Sequence, residues 1–163
     1  MDRKRRIVSI RGKAFNVFES KSGAYVLRGG QKLLEHLQAI MLSDLPEDLI
    51  VELRLGLRKK FGVQSLDFSA SRKTFKVSYV LTTSPESLID AEEYASEIAR
   101  NTEGLGFNCQ TSKIEDGTYL EAIYQPKGRE EIGYLVDLFE DALESADRSI
   151  EQKEENLRQE LEY

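Results

Sequence analysis

Two segments of the chain repeat one order of hydrophobic patterns. Residues 63–99 and residues 107–143 each read as strand, turn, strand and helix. Phe75, Val77, Tyr79 and Leu81 lie at every second position with Lys76 and Ser78 between them, which is typical of a strand with one buried face. The turn of the second copy contains Asp116-Gly117, a strong hairpin signal. The pattern therefore predicts two ββα units.

The patterns before these units predict strands and then helices. Residues 7–18 are rich in β-formers and indicate a strand, or a hairpin broken near Gly12, and residues 24–28 indicate a second short strand. Apolar residues at helical spacing predict a helix over residues 31–42. A second helix is expected over residues 44–62, where Asp44 can act as the cap and Gly62 as the stop. Its expected buried face consists of Leu49, Ile50, Leu53 and Leu57.

The last segment predicts a helix that is long for a domain of this size. Residues 129–160 contain one glycine and no proline, and such a helix would measure roughly 50 Å. An apolar seam continues beyond the part that closes the core, and a thin stripe of this kind needs a partner. We therefore predict self-association, with a helix that folds back on its own domain as the alternative. The predicted contact residues are Leu143, Ala146, Ile150, Lys153 and Leu157.

Together these patterns predict an α+β fold with an antiparallel sheet. The two ββα units follow N-terminal strands and helices and lead into the long C-terminal helix. The length of 163 residues fits a single domain. We place that domain at residues 1–143 and treat residues 144–163 as a coiled-coil-like extension of the last helix.

Charge is distributed unevenly along the chain. Residues 1–82 carry 16 Lys and Arg against 8 Asp and Glu, whereas residues 83–163 carry 7 against 21. Such asymmetry between halves suggests a polyanionic partner for the basic half. The alternative is a solvated surface whose halves neutralise each other after folding. The abundance of Lys, Glu and Arg is compatible with a thermophilic source.

The sequence offers no enzyme signature. Cys109 and His36 are the sole members of their residue types, so one chain cannot build a His/Cys metal cluster, and we expect neither metal nor cofactor. A Cys109–His36 catalytic pair has no supporting motif. A single cysteine and the lack of a signal-peptide or membrane-spanning pattern predict a cytoplasmic protein.

The basic half contains the two ingredients of single-strand binding, which are cations for phosphates and aromatic rings for bases. Some of them share strand faces, and others lie in an N-terminal arm or on the first repeat hairpin. The predicted nucleic-acid-binding residues are Arg3, Lys4, Arg5, Arg6, Arg11, Lys13, Phe15, Tyr25, Arg28, Lys32, Arg72, Lys73 and Lys76.

The order of elements, with the seam between Phe139 and Leu157, resembles the archaeal ThermoDBP family and its relatives over residues 30–160. That resemblance implies a core similar to type III secretion chaperones and YbjN-like proteins, binding of single-stranded DNA or RNA, and self-association through a C-terminal zipper. It provides no motif from which site residues can be transferred.

We therefore expect a non-catalytic binder of single-stranded DNA or RNA with low sequence specificity, assembled as a homodimer or tetramer. The alternative is a protein-interaction module or a scaffold of the secretion-chaperone kind.

Overall fold

A computed structural model describes residues 4–56, 65–81, 88–115 and 117–162. The fold is α+β, as the sequence predicts. A single-turn 3-10 helix at Leu42–Asp44 precedes the fourth strand. The other elements are β1 (Arg5–Ile10), β2 (Lys13–Glu19), β3 (Tyr25–Gly29), α1 (Gln31–Leu37), β4 (Leu49–Gly56), β5 (Ser65–Ala70), β6 (Phe75–Leu81), α2 (Ala91–Glu103), β7 (Phe107–Ile114), β8 (Gly117–Tyr124) and α3 (Ile132–Leu161).

The strands of the described ranges form one sheet in the order β1-β2-β3-β4-β5-β6-β8-β7. Neighbouring strands are antiparallel, except for β3 and β4, which run parallel because α1 carries the chain back across the sheet. The two predicted ββα units are present, and their hairpins meet where β6 pairs with β8.

The helices cover one face of the sheet. On β4, β5, β6 and β8 alternate residues are buried, and they form one core cluster with α1, α2 and α3. Phe139 of α3 lies at the centre, with its ring centroid 6.2 Å from Phe68, 6.1 Å from Tyr79 and 5.5 Å from Phe107. The other face of the sheet, here called the open face, carries the intervening residues and is not covered by α1, α2 or α3.

The predicted second helix over residues 44–62 is wrong where the structure describes it, because β4 occupies Leu49–Gly56. Leu49 and Leu53 fit either periodicity, but Val51 and Leu55 are buried and Ile50 is only half-buried, which is the period of a strand. Pairing on both sides, with β3 and with β5, stabilises the extended form. Residues 57–62 of the expected helix lie outside the described ranges.

Two helix boundaries also differ from the expectation. The first helix ends at Leu37 and not near residue 42. The described part of α2 begins at Ala91, where the Asp90 side chain accepts a 2.8 Å hydrogen bond from the backbone N–H of Glu93. Ser84-Pro85-Glu86, where the sequence predicts that this helix starts, lies outside the described residues, but residues 88–90 are described and are not helical.

Candidate nucleic-acid interface

The β1–β2 hairpin closes with a two-residue turn that places a cation at its tip. Ile10 pairs with Lys13, and the residues between them, Arg11 and Gly12, have φ angles of 50° and 78°. Left-handed backbone at both central positions gives the turn the twist that a hairpin requires. The Arg11 guanidinium then donates a 3.1 Å hydrogen bond to the carbonyl of Ala39, beyond the end of α1.

A half-buried ring, Phe15, lies beside this turn with a cation next to it. We call Arg11, Lys13, Phe15, Lys32 and His36 the hairpin patch. The ring of Phe15 packs edge-on against that of His36 at 5.4 Å, and the Lys13 ammonium lies 5.4 Å from its centroid. His36 lies 3.1 Å from the Ile10 carbonyl, and Lys32 is exposed one turn earlier on α1.

The cations of the hairpin patch keep their charge available. No ion pair joins Arg11, Lys13 or Lys32 to any carboxylate in the part of the chain that the structure describes. Glu35 is the nearest acidic residue along α1, and it too is exposed. The patch therefore combines positive charge with partly accessible aromatic surface.

The N-terminal strand divides its cations between the two faces of the sheet. Arg5 lies over the ring of Phe18 on the open face, at 5.4 Å. Arg6 lies on the helix side, 5.2 Å from the Tyr25 centroid, and forms an ion pair with Asp48. Lys4 is exposed, and Arg3 lies outside the described residues.

The centre of the open face pairs its own charges. Arg28 contacts Glu52 at 2.8 Å, Arg54 contacts Asp67 at 2.8 Å, and Lys76 lies 3.9 Å from Glu121. The first two pairs and Lys76 line a shallow cleft of about 670 Å³, and Glu121, the partner of Lys76, lies outside its lining. Arg28 and Lys76, which the sequence analysis assigns to the binding site, are thus neutralised by neighbouring carboxylates and separated from the hairpin patch by the sheet. The sequence analysis did not include Arg54 in the binding site. Arg54 falls on the open face only when Leu49–Gly56 is treated as a strand, and the sequence analysis treated it as part of a helix.

The β5–β6 turn holds its two predicted cations differently. The Arg72 guanidinium donates a hydrogen bond to the carbonyl of Leu45, so this side chain holds the loop before β4. Lys73 is exposed, and its backbone N–H lies 3.4 Å from the Ser71 hydroxyl. Arg72 therefore has a structural role, as Arg11 has through its bond to the Ala39 carbonyl, and Lys73 is the freer charge of this turn.

Most of the predicted contact residues of the last helix face their own chain. Leu143, Ala146 and Ile150 are buried against the rest of the protomer, so they present no surface to a second helix. This burial corrects their predicted role in a coiled coil and matches the alternative of a helix that folds back. Lys153 lies 3.1 Å from Glu97 and 3.7 Å from Glu93 of α2.

Leu157 differs from these residues because it remains 37 % exposed. It lies beyond Glu154, the last buried residue of α3. Of the predicted apolar contact residues, it is the one that a partner could still cover.

Two polar contacts join α2 to its neighbours. The Tyr94 hydroxyl donates to the Asp147 carboxylate, and burial together with this bond raises the pKa of Tyr94. The Cys109 sulfur lies 2.8 Å from the Thr102 hydroxyl, and burial raises the pKa of the thiol. Cys109 on the edge strand β7 and His36 on α1 lie at opposite ends of the sheet, so they do not form a catalytic pair.

Within the described ranges, no group of three or more His, Cys, Asp and Glu side chains is arranged to hold a metal ion. No helix in those ranges combines the length and apolar character needed to span a bilayer. Searches against protein-family models, curated proteins and solved structures find no match for this chain.

Proposed function

We propose that this protein is a non-catalytic binder of single-stranded DNA or RNA with little sequence preference, and that the hairpin patch is its contact surface. One observation carries the proposal: the three cations of the hairpin patch have no carboxylate partner among the described residues, and one of them, Lys13, lies 5.4 Å from the half-buried ring of Phe15. Cations attract the phosphates of a strand, and an aromatic ring offers a sequence-tolerant platform for a base.

The proposed surface is smaller than the one expected from the sequence. Arg28 and Lys76 already have carboxylate partners on the open face, so a phosphate would have to displace an ion pair there. Lys13 can reach a phosphate without such a cost, because its flexible stem lets the ammonium move away from the Phe15 ring. Membership of the ThermoDBP family stays a prediction.

Salt dependence tests this proposal directly. We expect a fluorescently labelled single-stranded oligonucleotide to bind in dilute buffer, with log affinity falling against log salt at a slope of about −2 for three phosphate contacts. Fluorescence anisotropy at several salt concentrations measures this slope. An oligonucleotide that stays unbound in dilute buffer would overturn the proposal.

A charge reversal locates the site. Arg11→Glu combined with Lys13→Glu should weaken oligonucleotide binding by about tenfold or more, because two attractive charges become repulsive. The matched control is Lys113→Glu with Lys127→Glu, which changes the net charge equally at positions outside the hairpin patch. Equal loss in both variants would mean that only net charge matters and would remove the patch as a site.

A second candidate function is a protein-interaction module of the scaffold kind that uses the open face. The observation in its favour is the uncovered sheet with self-paired charges around a cleft. This alternative predicts no oligonucleotide binding at low salt. Under the nucleic-acid proposal, Lys76→Glu should leave oligonucleotide affinity unchanged. We place either function in the cytoplasm, where a free thiol such as Cys109 persists.

A further inference from the structure

The most exposed large apolar side chains of the described residues lie in two separate places. Leu161, near the end of α3, is 75 % exposed, and Ile7, on the edge strand β1, is 69 % exposed. Each belongs to a small apolar group. Exposed apolar groups of this kind are candidates for contact with another molecule.

The first group is a row across four strands of the open face. Phe18 pairs with Val26, and Val26 pairs with Ile50, so these side chains are neighbours on one face. Ile7 lies on the same face of β1, one diagonal step from Phe18. We call Ile7, Phe18, Val26 and Ile50 the apolar row.

The second group lies on the last turns of α3. Burial of α3 ends at Glu154, and beyond it Leu157 and Leu161 stand four residues apart, on one side of the helix. We call residues 155–162 the α3 end. Neither leucine is covered by its own chain to the extent that Ala146 and Ile150 are.

The charges that flank the two groups are opposite. The α3 end carries Glu155, Glu160 and Glu162 against Arg158. Arg5 lies over Phe18 at the end of the apolar row, and Lys4 precedes it. Docking of the α3 end on the apolar row would therefore bury apolar surface and bring unlike charges together.

One protomer cannot make this contact with itself. The helix layer, to which α3 belongs, covers one face of the sheet, and the apolar row lies on the other. We propose that the α3 end of one copy docks on the apolar row of a second copy. Such a contact joins different surfaces, so it closes into a pair by two reciprocal contacts or continues from copy to copy.

Sedimentation velocity of the full chain over a concentration series tests the inference. The wild type should associate reversibly. The row variant, Ile7→Gln with Phe18→Gln, and the end variant, Leu157→Gln with Leu161→Gln, should each raise the dissociation constant by about tenfold or more. Val80→Gln and Tyr134→Gln, at apolar positions that are 42 % and 57 % exposed elsewhere, should associate like the wild type.

Mixing the two variants separates this contact from a zipper between two α3 ends. The row variant keeps an intact α3 end and the end variant keeps an intact row, so an equimolar mixture should form pairs that neither variant forms alone. A zipper between two α3 ends would instead leave the row variant associating like the wild type and would give no mixed pairs, and that outcome would overturn the inference. Circular dichroism melting confirms that both variants fold. A wild type that is monomeric at every concentration, or a mixture without pairs, would overturn the inference, whatever the outcome of the oligonucleotide experiments.

Discussion

Glu130 holds the loop between β8 and α3 with a single carboxylate. Its oxygens accept hydrogen bonds from the backbone N–H groups of Lys127, Gly128 and Arg129 and from the hydroxyl of Tyr124. Desolvation disfavours the ionised form of Glu130, but these donors outweigh it and lower the pKa of the carboxyl from 4.5 to about 2. The ionised carboxylate thereby fixes the entry into α3.

Glu130→Gln should destabilise the protein by about 1 kcal/mol at neutral pH, because the amide replaces a charged acceptor with a neutral one. A carboxyl with a lowered pKa stabilises the fold above its unfolded pKa and loses that contribution as the pH falls toward about 2. The stability difference between wild type and variant should therefore shrink in acid. Urea titrations at a series of pH values measure it, and a constant difference would contradict the assigned role.

Gly133 lets α3 approach the loop after α1. A Cβ atom at this position would lie 2.8 Å from both the carbonyl oxygen and the Cβ of Gln38, and the Gly133 N–H donates a 2.8 Å bond to the same carbonyl. The Gln38 backbone could not move aside for such a Cβ atom without loss of packing.

Gly133→Ala should cost about 1–3 kcal/mol of folding free energy through overpacking. Gly56→Ala is the matched control, because a Cβ there meets no atom within 4 Å. Thermal melts of both variants test the contrast, and equal melting temperatures would show that the Gln38 contact relaxes freely.

At the scale of elements, local pattern predicted most of the fold. The alternation from Phe75 to Leu81 and the hairpin signal at Asp116-Gly117 act within a few residues, and both predicted hairpins are present. The apolar residues of the β4 segment fit both the helical and the strand period. Whether this segment forms a helix or a strand depends on its pairing with distant strands. Such ambiguity cannot be resolved from one sequence.

The contacts made by the apolar stripe of α3 were likewise only partly predictable from the sequence. Its apolar spacing predicted a helix with an apolar stripe, and α3 extends to Leu161. Whether the stripe meets its own domain or another chain depends on where α2 lies, which spacing alone does not encode.

Lys153 is expected to stabilise the contact between α2 and α3. The Glu97 side chain is only 7 % exposed, and it faces Lys153 and Arg100. Desolvation on burial disfavours its charge, yet hydrogen bonding and attraction to Lys153 lower the pKa of Glu97 overall. Lys153→Met should lower the free energy of unfolding by about 1–3 kcal/mol, because it leaves the buried Glu97 carboxylate with one partner fewer.

The control for Lys153→Met is Arg148→Met on an exposed position of the same helix. A double variant with Glu97→Gln should lose less than the sum of the single changes, since the two residues interact directly. Additive losses in urea titrations would contradict the contact.

Shortening α3 tests which of its turns belong to the domain. A chain that ends after Leu143 lacks the buried residues Ala146 and Ile150. We expect its free energy of unfolding to be lower by at least about 2 kcal/mol. A chain that ends after Glu155 keeps both residues and should melt close to the wild type. Similar melting temperatures for the two truncations would show that the second half of α3 adds no stability.

For the whole molecule, the sequence predicted how much charge each half carries but not where the sheet places it. Strand alternation separates Lys13 and Phe15 from Arg5 and Arg28 onto opposite faces, and the open face balances its own charges. The predicted site residues are thus divided into the hairpin patch, the open-face pairs and structural contacts such as that of Arg72 with Leu45. That division follows from register and pairing partners, which composition does not reveal.

The parallel junction between β3 and β4 has a consequence for the order of folding. Hairpins such as β1–β2 and β7–β8 close through neighbouring residues, so they can form early and on their own. The β3–β4 ladder must wait until α1 has crossed the sheet, because loop closure precedes its first hydrogen bond. The three N-terminal strands are therefore expected to attach late and to exchange their amide hydrogens as one unit, ahead of the strands that surround Phe139.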